Sequence, residues 1–281
     1  MNYKTNLALA AACVLFATLP VRSAWAQSAG SNVVSLGWFH VTTMDSSSNE
    51  TTTVPTTPVY QVLGLPTSFT SPNTASSVSN ADTLGLTISH FVTDNIAVTT
   101  VAGVPPKFKV YGSGTLQAPG PSGALGNVSL GSSANNPLVK SVREWSPALL
   151  LQYYLFSATS KFRPFVGAGV SYNWFSSIQM NPNFTTALNQ QLGATLAAGA
   201  GRPGPTSVTS QSSPSWQPVF NAGMTYSLTD HWSIIGSVSY IPLSTTTVIT
   251  VKAADGSTLA QSKAKIDVDP LISYVGVAYK F

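Results

Sequence analysis

Few residues of this 281-residue sequence belong to the types that carry out catalysis. Acid–base and nucleophilic catalysis need a base beside a nucleophile, or a pair of acids. The three histidines are His40, His90 and His231, and none of them has an obvious partner in the sequence. Serines and threonines are abundant, so a hydroxyl near a histidine carries no information. We therefore predict no catalytic residues and no enzymatic activity.

The acidic pair Asp267 and Asp269 is the strongest candidate for a cation site. Two carboxylates alone underfill the coordination shell of Ca²⁺, so a salt-bridge network is the preferred interpretation. The basic residues that could take part are Lys263, Lys265 and Arg143. The glycine doublets lack the third glycine and the following helix of a nucleotide loop. The sequence thus predicts no metal and no cofactor.

The composition excludes several classes of protein. Charged residues make up 8% of the chain, against about 25% in ordinary soluble domains. A cytoplasmic enzyme of this size needs a more charged surface. Disorder is excluded because 43% of the residues are hydrophobic and 10% aromatic. The net charge of +4 comes without a basic cluster, so nucleic acid is not an expected partner.

The first 26 residues have the pattern of a cleaved signal peptide. Lys4 provides the positive start, 7–19 is apolar, and 24–26 reads Ala-Trp-Ala, which is the small-x-small pattern at a cleavage site. The mature chain is then expected to begin at Gln27. Cys13 would be removed with the peptide, which leaves no thiol for disulfides, catalysis or metal binding.

Residues 27–281 contain no apolar run long enough for a transmembrane helix, which takes about 20 residues. Two classes remain: a secreted soluble protein, or a closed barrel in an outer membrane, which pairs every backbone group within lipid. Residues 216–228 alternate between large apolar and small or polar side chains, and so do 164–174 and 232–240. A soluble sandwich would carry Lys and Glu on its outer face, whereas these strands avoid charge on both faces.

The same alternation along the chain predicts an all-β fold, an eight-stranded antiparallel transmembrane β-barrel. The predicted strands are 31–44, 79–92, 95–111, 141–156, 163–177, 214–228, 231–249 and 263–281. Short turns at 93–95, 157–162 and 229–231 alternate with long connections. These long, irregular connections, expected to be extracellular, are 45–78, 112–140, 178–213 and the shorter 250–262. Tight periplasmic turns and longer extracellular loops are typical of outer-membrane barrels.

Two further expectations concern the loops and the assembly. Asn181-Pro182 could start a helix over about 184–198 that ends at Gly199 or Gly201. It could cap the barrel mouth or be a short surface helix without function. The strands are longer than the roughly 9–11 residues that cross a bilayer, so the barrel should project above the membrane. A closed sheet has no free edge, so we expect a monomer.

The C-terminus carries the most specific pattern. It ends in an aromatic residue, and Tyr279, Val277 and Val275 share one face of the last strand. Gly276, Tyr279 and Phe281 resemble the terminal signal read by the barrel assembly machinery. Further segments make the chain similar to the OmpW family of outer-membrane proteins. They are TLGLTISHFVTDN at 83–95, 96–105, PALLLQYY at 147–154, KFRPFVGAGVSY at 161–172, LTDHW at 228–232 and DVDPLISYVGVAYKF at 267–281.

The resemblance implies an eight-stranded barrel in the outer membrane with a narrow hydrophobic lumen. It also implies entry of small apolar molecules, with release sideways into lipid as one route, and use of some members as bacteriocin receptors. No gating residue is carried over, because the long loops here are richer in Ser, Thr and Pro. The expected partners are outer-membrane lipid, the barrel assembly machinery and a small apolar solute.

The residues themselves bear on this function, because an eight-stranded barrel is only just wide enough for its own side chains. The inward positions are small or apolar, and ionic plugs of Arg with Asp or Glu are nearly absent. The predicted lumen-lining residues are Leu150, Gly167, Gly169, Val219, Gly223, Ile235 and Ile272. A neutral, incompletely filled lumen would exclude salts and accept apolar solutes. The alternative is a sealed core, in a structural or adhesive protein or a bacteriocin-type receptor without transport.

Overall fold

The computed structural model describes residues 27–119, 123 and 126–281. The predicted signal peptide at 1–26, with Cys13, lies outside the described residues. None of the helices in the described part of the chain is both long and apolar enough to cross a membrane.

Nineteen strands account for most of the described chain. The first ten are β1 (Asn32–Thr42), β2 (Ser46–Ser47), β3 (Thr51–Thr53), β4 (Ser68–Thr70), β5 (Ala75–Val78), β6 (Ala81–Phe91), β7 (Ile96–Gly103), β8 (Lys107–Ser113), β9 (Thr115–Gln117) and β10 (Asn127–Ser129). The others are β11 (Val139–Trp145), β12 (Ala148–Tyr154), β13 (Phe162–Met180), β14 (Ser207–Ser212), β15 (Ser215–Ser227), β16 (Trp232–Tyr240), β17 (Ser244–Lys252), β18 (Thr258–Asp267) and β19 (Leu271–Lys280).

Eight of these strands form one sheet that closes into a barrel. Their order is β12-β7-β6-β1-β19-β16-β15-β13, and β13 pairs again with β12, every pair being antiparallel. The predicted eight-stranded barrel is therefore confirmed. We take these eight strands as the membrane-spanning segments.

The outward face of the barrel is apolar and bounded by aromatic rings at both ends. In β15, the exposed residues Trp216, Phe220 and Met224 alternate with the buried residues Val219 and Asn221, as the period-two pattern predicts. One girdle contains Phe162, Tyr226, Trp232 and Tyr279, and the other Tyr172, Trp174 and Trp216. Such girdles mark the two membrane interfaces of outer-membrane barrels.

Four of the eight predicted strands are each divided in two. Strand 95–111 is β7 and β8, 141–156 is β11 and β12, 231–249 is β16 and β17, and 263–281 is β18 and β19. Each break holds a proline: Pro105 and Pro106, Pro147, Pro242 and Pro270. Proline has no N–H to donate to the ladder, and the residue before it is also restricted. At these points the chain leaves the barrel and enters the extracellular part.

The long connections are more regular than predicted. One extracellular sheet has the order β14-β17-β18-β3-β4, with β2 paired to β18, while β11, β8 and β5 extend from the upper part of β13. Strands β9 and β10 form a separate hairpin. Short strands rich in Ser and Thr made these segments resemble irregular loops. The extracellular part has a hydrophobic core of its own. Distant segments of the chain contribute to it, with residues such as Val54, Leu196 and Leu259.

The predicted helix is present and begins at its proline. It consists of α2 (Pro182–Ala187), a π-helical turn (Leu188–Gly193) and α3 (Ala194–Gly199), after a shorter helix α1 (Pro58–Val62) that was not predicted. The Asn181 side chain accepts the Asn183 N–H at 3.1 Å and so caps the start. Phe184 and Leu188 are buried, whereas Asn183, Gln190 and Ala194 are exposed, so the helix lies on the surface of the extracellular part and packs one face into its core.

Candidate functional site

The periplasmic half of the bore is a packed aromatic core. Tyr154 is buried between Phe91 and Phe165, with its ring centroid 4.9 Å from each of theirs. The remaining buried members of this cluster are Val33, Ala97, Ile235, Tyr274 and Ala278. An eight-stranded barrel is filled by side chains of this size. The lumen is therefore filled at this level, where the sequence predicted incomplete filling.

A buried arginine closes the same end. The Arg163 side chain is 1% exposed, with its guanidinium 5.2 Å from the ring centroid of Tyr154 and 5.7 Å from that of Phe91. It donates hydrogen bonds to the backbone carbonyls of Gln27, at 2.9 Å, and Asp94. The prediction of an uncharged lumen is wrong here. Two carbonyls and two ring faces replace much of the water around the cation, while its Nε has no hydrogen-bond partner in the described chain.

A belt of hydrogen-bonded polar side chains lies above the aromatic core. Thr99 donates to Gln152 at 2.7 Å, and the Gln152 amide donates to Asn221 at 2.8 Å across the position of Gly167. A Cβ at Gly167 would lie 2.8 Å from Cγ of Gln152, so this glycine makes room for the link. Ser35 bonds both Thr87 and Tyr274 in the same way, at 2.6 and 2.8 Å. Each of these buried polar groups is thereby satisfied.

The space beside the predicted lumen-lining glycines is occupied by neighbouring groups, so these glycines do not line an open channel. A Cβ at Gly223 would come within 2.5 Å of Cζ of Phe165, and one at Gly169 within 2.0 Å of the Leu149 carbonyl. Gly85, which was not among the predicted residues, makes room for the ring of Phe39. A Cβ at Gly85 would lie 1.8 Å from Cε2 of that ring. The sequence showed the small residues but not the rings that occupy their space.

The extracellular half of the bore contains an apolar chamber of about 160 Å³. Three predicted residues, Leu150, Val219 and Ile272, line it, whereas Ile235 belongs to the packed core below. The other apolar residues that line it include Phe39, Val41, Val101, Ala148 and Ile241, while Trp145 and Trp174, on the outward face, line its opening. The rings of Trp145 and Trp174 stack with centroids 5.6 Å apart. The structure thus places an apolar space above a closed periplasmic end.

The chamber reaches a gap in the barrel wall. Pairing between β7 and β12 ends at Val101 and Ala148, and the next backbone hydrogen bond joins the Glu144 N–H to the Pro106 carbonyl at 3.2 Å. We call this gap the side window. Residues 102–106 form one of its edges and residues 144–147 the other, and both edges line the chamber.

Pro105, on the β7 edge, has no N–H to donate across the gap, whereas Pro147 faces β13, where its carbonyl accepts the Tyr172 N–H at 3.1 Å. The edge residues Trp145 and Pro147 lie level with Trp174 and Tyr172 of the outer aromatic girdle, so the window lies at the outer membrane interface.

One carboxyl faces this apolar space. Glu144 is 7% exposed and lines the chamber from β11, beyond the outer end of the spanning strand β12. Burial raises the pKa of its side chain to about 7. The sequence analysis did not single out Glu144, although its alternation with exposed Arg143 indicates an inward position.

The residues with catalytic potential are engaged elsewhere. His40 Nδ1 lies 2.7 Å from Oδ1 of Asp82, its register partner on β6. His90 contacts Asn32 at 2.9 Å and His231 the Lys280 carbonyl at 3.0 Å. The prediction that the histidines lack partners is therefore wrong, because cross-strand register brings the partners from distant positions.

The acidic pair of the outer rim separates in the structure. Lys265 Nζ lies 2.8 Å from Oδ1 of Asp267, which confirms a salt bridge there. The hydrogen bonds from Lys265 and Ser244 lower the pKa of Asp267. Asp269 instead takes a positive φ of 41° at the break between β18 and β19.

The C-terminal strand closes the barrel between β1 and β16. Val275 and Val277 are exposed on the outward face, while Gly276 faces inward beside the Tyr274 ring. The Tyr279 ring packs against Trp232 at 4.9 Å and Phe281 at 5.6 Å. The role of Gly276, Tyr279 and Phe281 in assembly stays a prediction.

Comparison with known proteins agrees with this architecture. The model of the OmpW family matches residues 51–281. Outer membrane protein W of Vibrio cholerae is 30% identical over 211 residues, covering 74% of this chain and 79% of that protein. Outer membrane protein AlkL of Ectopseudomonas oleovorans is 28% identical, covering 75% of this chain and 70% of that protein.

Among solved structures, that of OprG from Pseudomonas aeruginosa matches with a TM-score of 0.65 and 23% identity. The match covers 91% of this chain and 98% of that one, and it supports the fold. The family match and the closed barrel together identify the chain as a member of the OmpW family, in the outer membrane of Gram-negative bacteria.

Proposed function

We propose that this barrel takes up small hydrophobic molecules passively, and that they leave the apolar chamber through the side window into the lipid. The observation that carries the proposal is the gap between β7 and β12, whose two edges both line the chamber. The packed core with Arg163 favours this exit over one through the periplasmic end.

The chemistry of the chamber favours an apolar solute. Most of its lining is aliphatic or aromatic, so an apolar molecule loses its contact with water there without leaving polar groups unpaired. A salt would lose its hydration without compensation. The proposal includes no catalytic step, and it keeps the monomer as the working unit.

Reversible closure of the side window tests the exit route. The described chain contains no cysteine, so a disulfide-containing crosslinker can join Val104→Cys on one edge to Ser146→Cys on the other. In vesicles whose outer leaflet contains lipopolysaccharide, we expect crosslinking to reduce entry of a small apolar dye at least tenfold. Reduction of the crosslinker should restore entry.

A matched control carries the same crosslinker across a paired part of the wall. Ala222→Cys and Val238→Cys are register partners on β15 and β16, and crosslinking them should leave dye entry unchanged. Unchanged entry after closure of the window would contradict the side exit. If the wild-type barrel also failed to speed dye entry, the sealed structural, adhesive or receptor function would replace transport.

A further inference from the structure

A carboxyl in an apolar chamber requires a physical explanation. Glu144 is the one ionisable side chain among the described residues that line the chamber. The described chain provides its carboxylate with no hydrogen bond or salt bridge, and desolvation is the cause of its raised pKa. Its oxygens are not among the fully buried atoms of the described chain that lack a partner, so they stay accessible from the chamber, where water or another occupant can hydrogen-bond with them.

The neighbouring charged groups face away from Glu144. Arg143, next in sequence, is exposed on the opposite face of β11, and its register partner Lys107 on β8 is exposed as well. On β13 the register partner of Glu144 is Phe175, which is not ionisable. On the barrel strands nearby, His40 and Asp82 pair with each other. The carboxyl is therefore left to interact with whatever occupies the chamber.

The raised pKa determines the form in which the carboxyl meets an occupant. Near neutral pH a substantial fraction is protonated, and a neutral carboxyl both donates and accepts hydrogen bonds. A hydroxyl on an otherwise apolar molecule would satisfy it, whereas a hydrocarbon would leave it unpaired.

We propose that Glu144 is the specificity-determining contact of the chamber and selects apolar molecules that carry one hydroxyl head group, such as medium-chain alcohols, over hydrocarbons of the same length. The inference rests on the proposed function, because it requires that apolar molecules reach the chamber. The opening beside Glu144 lets the hydroxyl bind at the window edge while the alkyl chain lies against Leu150, Val219 and Ile272.

An apolar carbodiimide tests access and selection together. N,N′-dicyclohexylcarbodiimide adds the O–H of a protonated carboxyl across a C=N bond, and acyl transfer to nitrogen gives a stable N-acylurea that retains every atom of both reactants. In phospholipid vesicles, we expect peptide mass spectrometry to find the adduct on Glu144. Labelling should slow as pH rises above about 7, because the protonated form is lost.

Glu50 is the matched control for the labelling. Burial raises the pKa of its side chain to about 7 too, but it lies among the extracellular strands, away from the window. We expect no adduct there. At equal mole fraction in the membrane, 1-octanol should slow labelling of Glu144 about three- to tenfold more than octane, as one net hydrogen bond would.

Two variants separate the hydrogen bond from the shape of the site. With a neutral apolar dye as the displaced probe, Glu144→Gln should keep the preference for 1-octanol and Glu144→Leu should lose it. The heat-dependent electrophoretic shift of each variant verifies that the barrel has folded.

The outcomes are distinguishable. No adduct on Glu144 in the wild type would show that apolar molecules do not reach the chamber, which overturns both the proposed function and this inference. Equal slowing of the labelling by 1-octanol and octane would overturn the role of Glu144 in selection but not the proposed function. A preference for 1-octanol that persists in Glu144→Leu would do the same.

Discussion

At the scale of single residues, small and large side chains are matched across the bore. Gly223 makes room for Phe165, Gly85 for Phe39, and Gly167 for the link from Gln152 to Asn221. Because glycine has no Cβ, the neighbouring side chain occupies the space beside each of these residues. An estimate of the lumen width from the size of the inward residues alone is therefore too large, because it treats the space beside each glycine as empty.

Glu50 gives a prediction on pH and stability. Burial in the extracellular part raises the pKa of its side chain to about 7 in the folded protein, from the ordinary value of 4.5. The folded state therefore binds the proton more tightly, and stability falls as pH rises from about 4.5 through about 7. Glu50→Gln should raise the free energy of unfolding by about 2–3 kcal/mol at pH 8 and change it little at pH 4.

Urea unfolding in vesicles at several pH values measures this effect. The exposed carboxyl of Asp230, in the turn before β16, offers a control, since Asp230→Asn removes a charge that burial does not penalise. An equal gain from Glu50→Gln at pH 4 and pH 8 would contradict an electrostatic cause.

At the scale of elements, prolines decide where the barrel wall ends. The breaks at Pro105, Pro106 and Pro147 border the side window, while Pro242 follows β16 and Pro270 precedes β19, two strands that pair with each other. A restored N–H donor on the β7 edge would allow the ladder between β7 and β12 to continue.

Pro105→Ala tests this control of the wall. The Val104 N–H donates to Leu84 on β6, so the N–H restored one residue further along points across the gap. We expect the window to narrow and the entry of an apolar dye to fall several-fold. Far-UV circular dichroism should stay that of the wild type. Pro242→Ala, on the other side of the barrel, should leave entry unchanged, and an equal loss in both variants would contradict a specific role for the window.

The sequence predicts the elements better than it predicts the site. Alternation placed the faces of 216–228 correctly, since side-chain direction has a strict period of two in a strand. The partners of Arg163 and His40 depend on register, which brings Gln27 and Asp82 to them from distant positions. Chamber and window depend on how rings pack inside the closed wall, which no local pattern encodes.

At the scale of the whole molecule, the barrel has three levels along its axis. A packed aromatic and cationic core lies at the periplasmic end, a polar belt lies above it, and an apolar chamber with a side window lies below the extracellular sheets. In the proposed function an apolar solute leaves sideways, because the core would block its way down and the lipid beside the window would be a favourable destination.

Photolabelling with an apolar solute tests this route most directly. A small aliphatic diazirine, activated by light in vesicles that contain the folded barrel, labels the residues that it contacts. Because lipid-dissolved reagent also labels the whole outward face, only inward residues are informative. We predict adducts on inward chamber residues such as Leu150 and Val219, and none on Phe91, Tyr154 or Arg163. Adducts on those three residues, with the chamber unlabelled, would contradict lateral release.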